Sequence, residues 1–276
     1  MVEIITLMEN VATEHKALVP LHGLSVFVRT PEINVLFDCG SEGTALNNAR
    51  LMNVPVETAD CIVLSHSHYD HSGGLPSFIE KGVKGPLYTG RAFFEPKYAY
   101  DGVKYTYLGA GFDEEYLAEN KIVHKVCSDF TKLADGCYLF GDFPRKYEFE
   151  TIPKRFVRGN PPHTIIDDFK DEICLVLESS KGLIVVVGCS HPGILNMLTR
   201  ISEKLNQPIY AVLGGTHLVE ADDERIKITI AKMKEMGLKI LGLSHCSGQT
   251  AELAAQDDIE VKSCHLGVGD CFAVES

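Results

Sequence analysis

Short apolar runs alternate with amphipathic segments along most of the chain. The runs, rich in β-branched residues and in places alternating with polar ones, predict strands. These runs lie at residues 1–7, 23–29, 33–37, 61–64, 87–89, 137–140, 172–178, 183–187, 209–213, 239–243 and 266–273. Apolar residues at helical spacing predict helices between the strands. The predicted helices cover residues 42–53, 74–82, 91–96, 113–119, 193–205 and 221–236, with a short one before the last strand. The alternation predicts an α/β protein.

Residues 97–160 interrupt this alternation. They are rich in glycines, charges and tyrosines, and they predict hairpins, loops and one short helix. The segment is expected either to form a lid beside a functional site or to elaborate the scaffold. Because the chain shows no repeat, low-complexity stretch or linker, we predict one domain over residues 1–276 with this segment as an insertion.

The most informative polar cluster follows the apolar run at 61–64. His66 and His68 are two residues apart, so their side chains point the same way in an extended segment. Asp70 and His71 come next, just before a pair of glycines that allows a sharp turn. Three imidazoles and a carboxylate are the ligands that a borderline divalent metal prefers. The alternative is a polar loop that happens to be rich in histidine. We predict a metal site for two ions.

Four other strand ends carry similar groups. Asp38, the pair Cys189 and His191, His217 and His245 each follow an apolar run. In layered α/β folds, loops at one edge of a sheet collect to build a site. We therefore expect these residues to meet the cluster at 66–71. His217 could reach a substrate or could anchor its loop.

Composition narrows the classes of function. The formal charge is −12, with 38 acidic against 26 basic residues, which argues against a nucleic-acid partner. The clearest basic run contains Lys154, Arg155 and Arg158 and suits a small anionic group or a solvated face. Nine scattered cysteines predict no disulfide framework and a reducing, cytoplasmic location. No apolar run is long enough to span a bilayer, and we expect neither a signal peptide nor a membrane partner.

The string His66-x-His68-x-Asp70-His71, with strands ending in Asp38 and His245, resembles the metallo-β-lactamase superfamily over nearly the whole chain. The resemblance implies an αββα sandwich, in which two packed mixed β-sheets are flanked by helices and the metals lie at one sheet edge. It also implies that His66 and His68 bind the first metal, that Asp70, His71 and His245 bind the second, and that Asp38 orients the loop or a histidine N–H.

Five shorter motifs resemble one subfamily, whose members are described as dihydropteroate-synthase-like or 7,8-dihydropterin-6-methyl-4-(ribofuranosyl)aminobenzene-phosphate synthase-like. They are His22-Gly-Leu-Ser, Phe37-Asp-Cys-Gly, Gly188-Cys-Ser-His-Pro-Gly-Ile194, Gly214-Gly-Thr-His-Leu and Leu243-Ser-His-Cys-Ser-Gly. This narrower resemblance implies a pterin or an aminobenzoate-riboside phosphate as substrate, with the basic run at 154–158 near the phosphate.

Two positions depart from the superfamily pattern. A bridging aspartate usually follows a glycine at the end of the buried strand, where this chain has Cys189. A histidine usually precedes the hairpin, where only His163 and an acidic run at 167–172 are found. We expect His191 to supply the missing imidazole. Cys189 could bridge the metals as a thiolate, or it could be a buried thiol that leaves the second metal weakly held.

The predicted function is metal-dependent hydrolysis or group transfer on a small, anionic or pterin-like substrate. Two divalent ions, zinc first and manganese or iron as alternatives, would lower the pKa of a bound water towards 7, and Asp70 is the candidate general base. One alternative is a generic ester, thioester or phosphodiester hydrolase. Another is a non-catalytic metal- or ligand-binding protein, which the missing aspartate supports. The oligomeric state is open. Redox di-iron chemistry is disfavoured, because those relatives usually carry a glutamate at the position of His68 and a flavin domain.

Overall fold

The computed structural model describes residues 1–11, 13–256 and 261–276. Its strands are β1 (Val2–Met8), β2 (Ser25–Arg29), β3 (Asn34–Phe37), β4 (Cys61–Val63), β5 (Leu87–Thr89), β6 (Lys97–Tyr100), β7 (Tyr105–Tyr107), β8 (His124–Val126), β9 (Phe130–Ala134), β10 (Cys137–Phe140), β11 (Phe156–Asn160), β12 (His163–Ile166), β13 (Cys174–Ser179), β14 (Gly182–Val187), β15 (Ile209–Gly214), β16 (Ile240–Leu243), β17 (Lys262–Cys264) and β18 (Cys271–Val274). Its helices are α1 (Thr44–Leu51), α2 (Tyr69–Ser72), α3 (Leu75–Lys81), α4 (Glu114–Glu119), α5 (Ile194–Leu205), α6 (Asp223–Glu235) and α7 (Gln249–Gln256).

The strands form two seven-stranded mixed sheets and one small sheet. The first large sheet has the order β18-β1-β2-β3-β4-β5-β8 and is parallel from β3 onwards. The second has the order β17-β16-β15-β14-β13-β10-β9 and is parallel from β14 to β17. The small sheet, β12-β11-β6-β7, is antiparallel. Each large sheet thus has a parallel half whose strands end in loops on the same side.

The two large sheets pack face to face. Side chains at alternate positions of their strands share one buried core, which includes Val35 and Phe37 from β3 and Ile184 and Val186 from β14. The opposite faces are covered by helices, since Leu36 packs in a second core with residues of α1 and α3. A third core lies between β14 and helices α5 and α6. These layers confirm the predicted αββα sandwich.

The predicted helix at 91–96 is wrong. Residues 91–95 form turns and a bend, because Ala92 has a φ of 59° and a helix cannot pass through that conformation. The strands β11 and β12 were not predicted, since Gly159, Asn160 and two following prolines are typical of a loop. Pairing with β6 stabilises them in the structure. The predicted strand at 266–273 corresponds to β18, which begins only at Cys271.

The segment 97–160 contributes to all three sheets. Its first part, β6 and β7, forms the predicted hairpin in the small sheet, and α4 is the predicted short helix, capped by Asp113. Its later strands β8, β9 and β10 extend the large sheets. None of the helices in the described ranges is long and apolar enough to cross a membrane.

Candidate metal centre

Loops that follow β4, β14, β15 and β16 meet at one edge of the sandwich. The loop after β4 carries His66 and His68, and α2 carries Asp70 and His71. The ring centroid of His191, from the loop after β14, lies 5.1 Å from that of His66 and 5.2 Å from that of His68. The structure therefore brings His191 beside the two imidazoles that the resemblance assigns to the first metal, where it is placed to supply the missing imidazole.

Each imidazole of this first group has at least one unpartnered ring nitrogen. Nε2 of His66, Nε2 of His68 and both nitrogens of His191 are buried and have no hydrogen-bond partner among the described residues. Burial holds the pKa of each of these three imidazoles well below its usual range, so each is neutral and has a free lone pair. An unsatisfied buried polar atom costs about 1–3 kcal/mol, and several of them converging is the arrangement that a metal ion satisfies. The group fits a divalent cation.

A second group lies beside the first. Nε2 of His71 is 3.1 Å from Nε2 of His245 and 3.7 Å from Oδ2 of Asp70, and Oδ2 of Asp70 is 3.4 Å from Nε2 of His245. Nδ1 of His245 lies 3.1 Å from Oδ1 of Asn10, which leaves Nε2 for the centre. These are the three residues assigned to the second metal, and one carboxylate with two imidazoles suits zinc.

Asp38 lies behind this second group, as the resemblance implies. It accepts hydrogen bonds from the backbone N–H of Ser65 at 2.7 Å and from Nδ1 of His71 at 2.7 Å. Although burial lowers it, the negative charges of Asp38 and Asp70 raise the pKa of His71 to about 9. A metal ligand must be neutral imidazole, so a bound ion would compete with that proton.

Cys189 lies between the two groups. Its Sγ is within 4.8 Å of ring nitrogens of both His66 and His191, and also of both His71 and His245. The shortest of these distances is 3.2 Å, to Nε2 of His71. The Sγ of Cys246 is 3.2 Å from the Sγ of Cys189.

Two buried acidic residues, which the sequence analysis did not single out, hold the ligand loops. Glu172 accepts hydrogen bonds from the backbone N–H groups of Cys189, Ser190 and His191 at 3.3, 2.7 and 3.3 Å. Asp171 accepts one from the backbone N–H of Ser67 at 2.8 Å. In the sequence, the sign of these two residues is the acidic run at 167–172. The sequence does not show that Asp171 and Glu172 are buried, because the tertiary structure decides this.

A lysine from the small sheet pairs with two carboxylates of this acidic run. Lys97 of β6 is buried, pairs with Asp171, and lies 3.0 Å from Asp167. Its ammonium is 4.5 Å from the ring centroid of Phe169, and that ring stacks on His191 at 3.8 Å between centroids. The orientation of His191 therefore depends on the small sheet as well as on its own loop.

Several non-glycine residues at this edge have left-handed backbone conformations: Asp38, Ser190, His217 and His245, with φ between 48° and 57°. Such conformations cost about 1–3 kcal/mol each and persist where surrounding contacts enforce them. For His245 one such contact is the hydrogen bond from its backbone N–H to Oε1 of buried Glu9 at 2.7 Å.

A cavity of about 330 Å³ opens onto the centre. It is lined by His68, Asp70, Cys189, His191 and His245 and, on its outer wall, by Asn10, His22, Tyr69, Leu108, Arg155, Phe156, His217, Val219, Glu220 and Cys246. The volume suits a small molecule. Phe156 is the first residue of β11 and Leu108 directly follows β7, so the small sheet forms part of the cavity wall.

Of the basic run, Arg155 alone lines the cavity. It forms a two-point ion pair with Glu220, whose Oε1 also lies 3.1 Å from Nε2 of His217. Arg158 is engaged by Glu95 and Asp168, and Lys154 is exposed. Burial lowers the pKa of His217, but Cys246 and Glu220 raise it to about 9, so His217 is a second positive group in the wall. His163 is exposed on β12 and does not line the cavity.

Comparison with known proteins agrees with this architecture. The chain is 32% identical over 268 residues to the 7,8-dihydropterin-6-methyl-4-(β-D-ribofuranosyl)-aminobenzene-5'-phosphate synthase of Methanocaldococcus jannaschii, covering 91% of this chain and 89% of that protein. It is 33% identical over 241 residues to MJ0448, an uncharacterised protein of the same organism, covering 86% and 88% of the two chains.

Among solved structures, Tm1679, described as a metal-dependent hydrolase of the β-lactamase superfamily, matches with a TM-score of 0.85 and 26% identity over 100% of both chains. The family model described as the metallo-beta-lactamase superfamily matches residues 18–187. These matches confirm the resemblance seen in the motifs, and the chain belongs to the metallo-β-lactamase superfamily.

Proposed function

We propose that the protein is a metal-dependent enzyme that hydrolyses, or transfers a group to or from, a small anionic substrate related to pterins. His66, His68 and His191 would hold one divalent ion, and Asp70, His71 and His245 a second, with zinc as the first expectation and manganese or iron as alternatives. The observation that carries the proposal is the set of buried, unpartnered ring nitrogens of the first group.

The ions would supply a water of lowered pKa and polarisation of the electrophile. The chain's own residues prepare the site for this chemistry. Asp38 fixes the Nδ1–H tautomer of His71, and Glu172 holds the backbone that presents His191. Although burial raises it, His71 and His22 hold the pKa of Asp70 well below its usual range, so Asp70 is a carboxylate at neutral pH. We assign Asp70 to metal binding and to accepting a hydrogen bond, or a proton, from the attacking water.

The substrate class rests on the cavity and on one relative. The M. jannaschii synthase is named for a pterin joined to an aminobenzene riboside phosphate. A cavity of about 330 Å³ with Phe156 and Leu108 in its wall can hold one heteroaromatic ring, and Arg155 and His217 add positive charge for an anionic group.

The nine cysteines are free thiols, which supports a reducing, cytoplasmic location.

A non-catalytic metal- or ligand-binding protein is the second candidate, because Cys189 replaces the usual bridging aspartate. A generic ester, thioester or phosphodiester hydrolase is the third. The three differ in what purified protein does with a pterin and with simple esters: the first binds and converts the pterin compound, the second binds it without turnover, and the third cleaves esters without binding it.

The test compares wild type with His66→Ala and His163→Ala, all purified with a reductant and without added chelator. Wild type should contain about two ions per chain by elemental analysis and turn over a pterin-type phosphate substrate, whereas turnover of generic phosphate esters alone would favour the third candidate. His66→Ala should lose activity and about one ion, whereas the exposed control His163→Ala should match wild type. Metal-free wild type that gains no activity from zinc, manganese or iron would contradict the proposal.

A further inference from the structure

Cys189 stands at the end of β14, directly after Gly188, where the superfamily pattern has a bridging aspartate. Its side chain is 3% exposed. Its Sγ is the one atom common to the clusters His66–Cys189–His191 and His71–Cys189–His245, within each of which the ligand atoms lie within 4.8 Å of one another. A single sulfur atom therefore lies within reach of both groups of imidazoles.

We propose that the thiolate of Cys189 is shared by the two metal ions, so that the centre is bridged by sulfur where other members of the superfamily use a carboxylate. This inference rests on the proposed function, because it presupposes both ions. On binding, the S–H bond breaks, its proton leaves to solvent, and two sulfur–metal bonds form without any change of oxidation state. Thiolate sulfur is a ligand that zinc and cobalt accept readily, whereas manganese prefers oxygen.

The surroundings hold the sulfur in place for this role. Glu172 accepts hydrogen bonds from the backbone N–H groups of Cys189 and of the two residues after it. These bonds prevent the loop from turning the thiol away. The unpartnered nitrogens of His66 and His191 face the same space. A buried thiolate needs cations beside it, and the two ions would supply them.

Cys246 provides a matched control within the same site. Its Sγ lies only 3.2 Å from that of Cys189, yet its own ligand cluster includes His217 and Cys189 and none of the imidazoles assigned to the two metals. If Cys189 is the bridge, removing Cys246 leaves the sulfur–metal bonds intact.

X-ray absorption at the zinc edge of fully reduced wild-type protein counts sulfur neighbours directly and needs no variant. A shared thiolate gives about one sulfur per zinc at ~2.3 Å when two zinc ions are bound. Sulfur bound to one ion gives about half that number, and a free thiol gives none. Either of these lower values, with two zinc ions present, overturns the shared thiolate and leaves the proposed function standing. Wild type that binds none of zinc, manganese or iron overturns both.

Cobalt substitution then assigns the sulfur to one residue. Wild type and Cys246→Ala should show the near-ultraviolet absorption of a cobalt thiolate, and Cys189→Ala should lose it and bind the second cobalt at least about tenfold more weakly. Cys189→Asp restores the usual carboxylate, so it should bind two cobalt ions without that absorption. Because Cys189→Asp is expected to bind two ions, loss of the absorption in that variant cannot be attributed to a failure to fold, as it could be for Cys189→Ala. Absorption that survives in Cys189→Asp or disappears in Cys246→Ala contradicts the assignment.

Discussion

Nδ1 of His71 lies 2.7 Å from Oδ2 of Asp38, and both side chains are completely buried. The pair joins the loop after β3 to α2, and it leaves Nε2 of His71 directed at His245 and Cys189. Such a carboxylate fixes the tautomer of a ligand histidine and increases its basicity. In the proposed centre, the pair would hold His71 in the orientation and tautomer that the second ion needs.

Replacing Asp38 by Asn should weaken binding of the second metal by about 10–100-fold, because the amide cannot carry the charge that makes His71 a strong ligand. Competition with a chromogenic chelator measures this loss. Asp60→Asn, which alters an exposed acceptor before β4, is the control and should bind both ions normally. Equal affinities in the two variants would show that the Asp38–His71 contact does not support the metal.

Replacing Lys97 by Met should lower the free energy of unfolding by about 3–5 kcal/mol, since it leaves Asp167 and Asp171 buried without their counter-charge. Asp171 also holds Ser67 between His66 and His68, so metal affinity should fall as well. Urea unfolding checks the first effect. Lys132→Met removes an exposed, solvent-screened ion pair with Asp135 and should leave the free energy of unfolding nearly unchanged. Similar losses in the two variants would contradict the role of burial.

Glu150, which lies outside the two metal groups, should make the free energy of unfolding depend on pH. Its carboxylate accepts the backbone N–H groups of Leu195 and Asn196 at the start of α5, and burial raises its pKa from 4.5 to about 7. The folded state binds this proton more tightly than the unfolded state does. Protonated Glu150 therefore contributes its full stabilisation below pH 4.5, and this stabilisation is lost as the pH rises through 7. It amounts to at most about 3 kcal/mol of the free energy of unfolding.

Unfolding free energies of wild type and Glu150→Gln between pH 5 and 8 test this expectation. The difference between the two should change with pH in the direction just given, with wild type losing stability relative to the variant as pH rises. The Gln side chain has one acceptor for two N–H donors, so the variant should be about 1 kcal/mol less stable at pH 5, and this deficit should disappear as the pH rises. A difference that is constant with pH would mean that Glu150 does not titrate in this range.

Arg155 should contribute to substrate binding rather than to the chemical step. It lines the cavity and stands over the ring of Phe156 at 4.0 Å, outside the metal groups. Arg155→Gln should raise KM for an anionic substrate about tenfold, as expected for loss of a charged hydrogen bond, with little change in kcat. Lys154→Gln removes the same charge from the neighbouring exposed position. A comparable rise in KM in both variants would indicate a general field rather than a specific contact.

Much of the fold follows from local patterning. The two-residue period of β3 sends Val35 and Phe37 into the inter-sheet core and Leu36 towards α1 and α3, and this period is visible in the sequence. The sequence-based predictions of secondary structure are wrong where strand pairing or backbone strain outweighs the local helix or loop propensity. Ala92 adopts a left-handed conformation inside an apparent helix, and β11 exists because it pairs with β6.

The sequence by itself predicted which residues could bind metal, because the spacing of His66, His68, Asp70 and His71 is local and the other candidates each follow the end of a strand. The tertiary structure alone decided how the set is completed. It places His191 with His66 and His68, sets Cys189 between the two groups, and selects Arg155 over its neighbours. It also buries Glu172 and Lys97 beneath the ligand loops. The contacts of Cys189 and His191 with residues 66–71 join segments more than a hundred residues apart in sequence, and no local pattern predicts them.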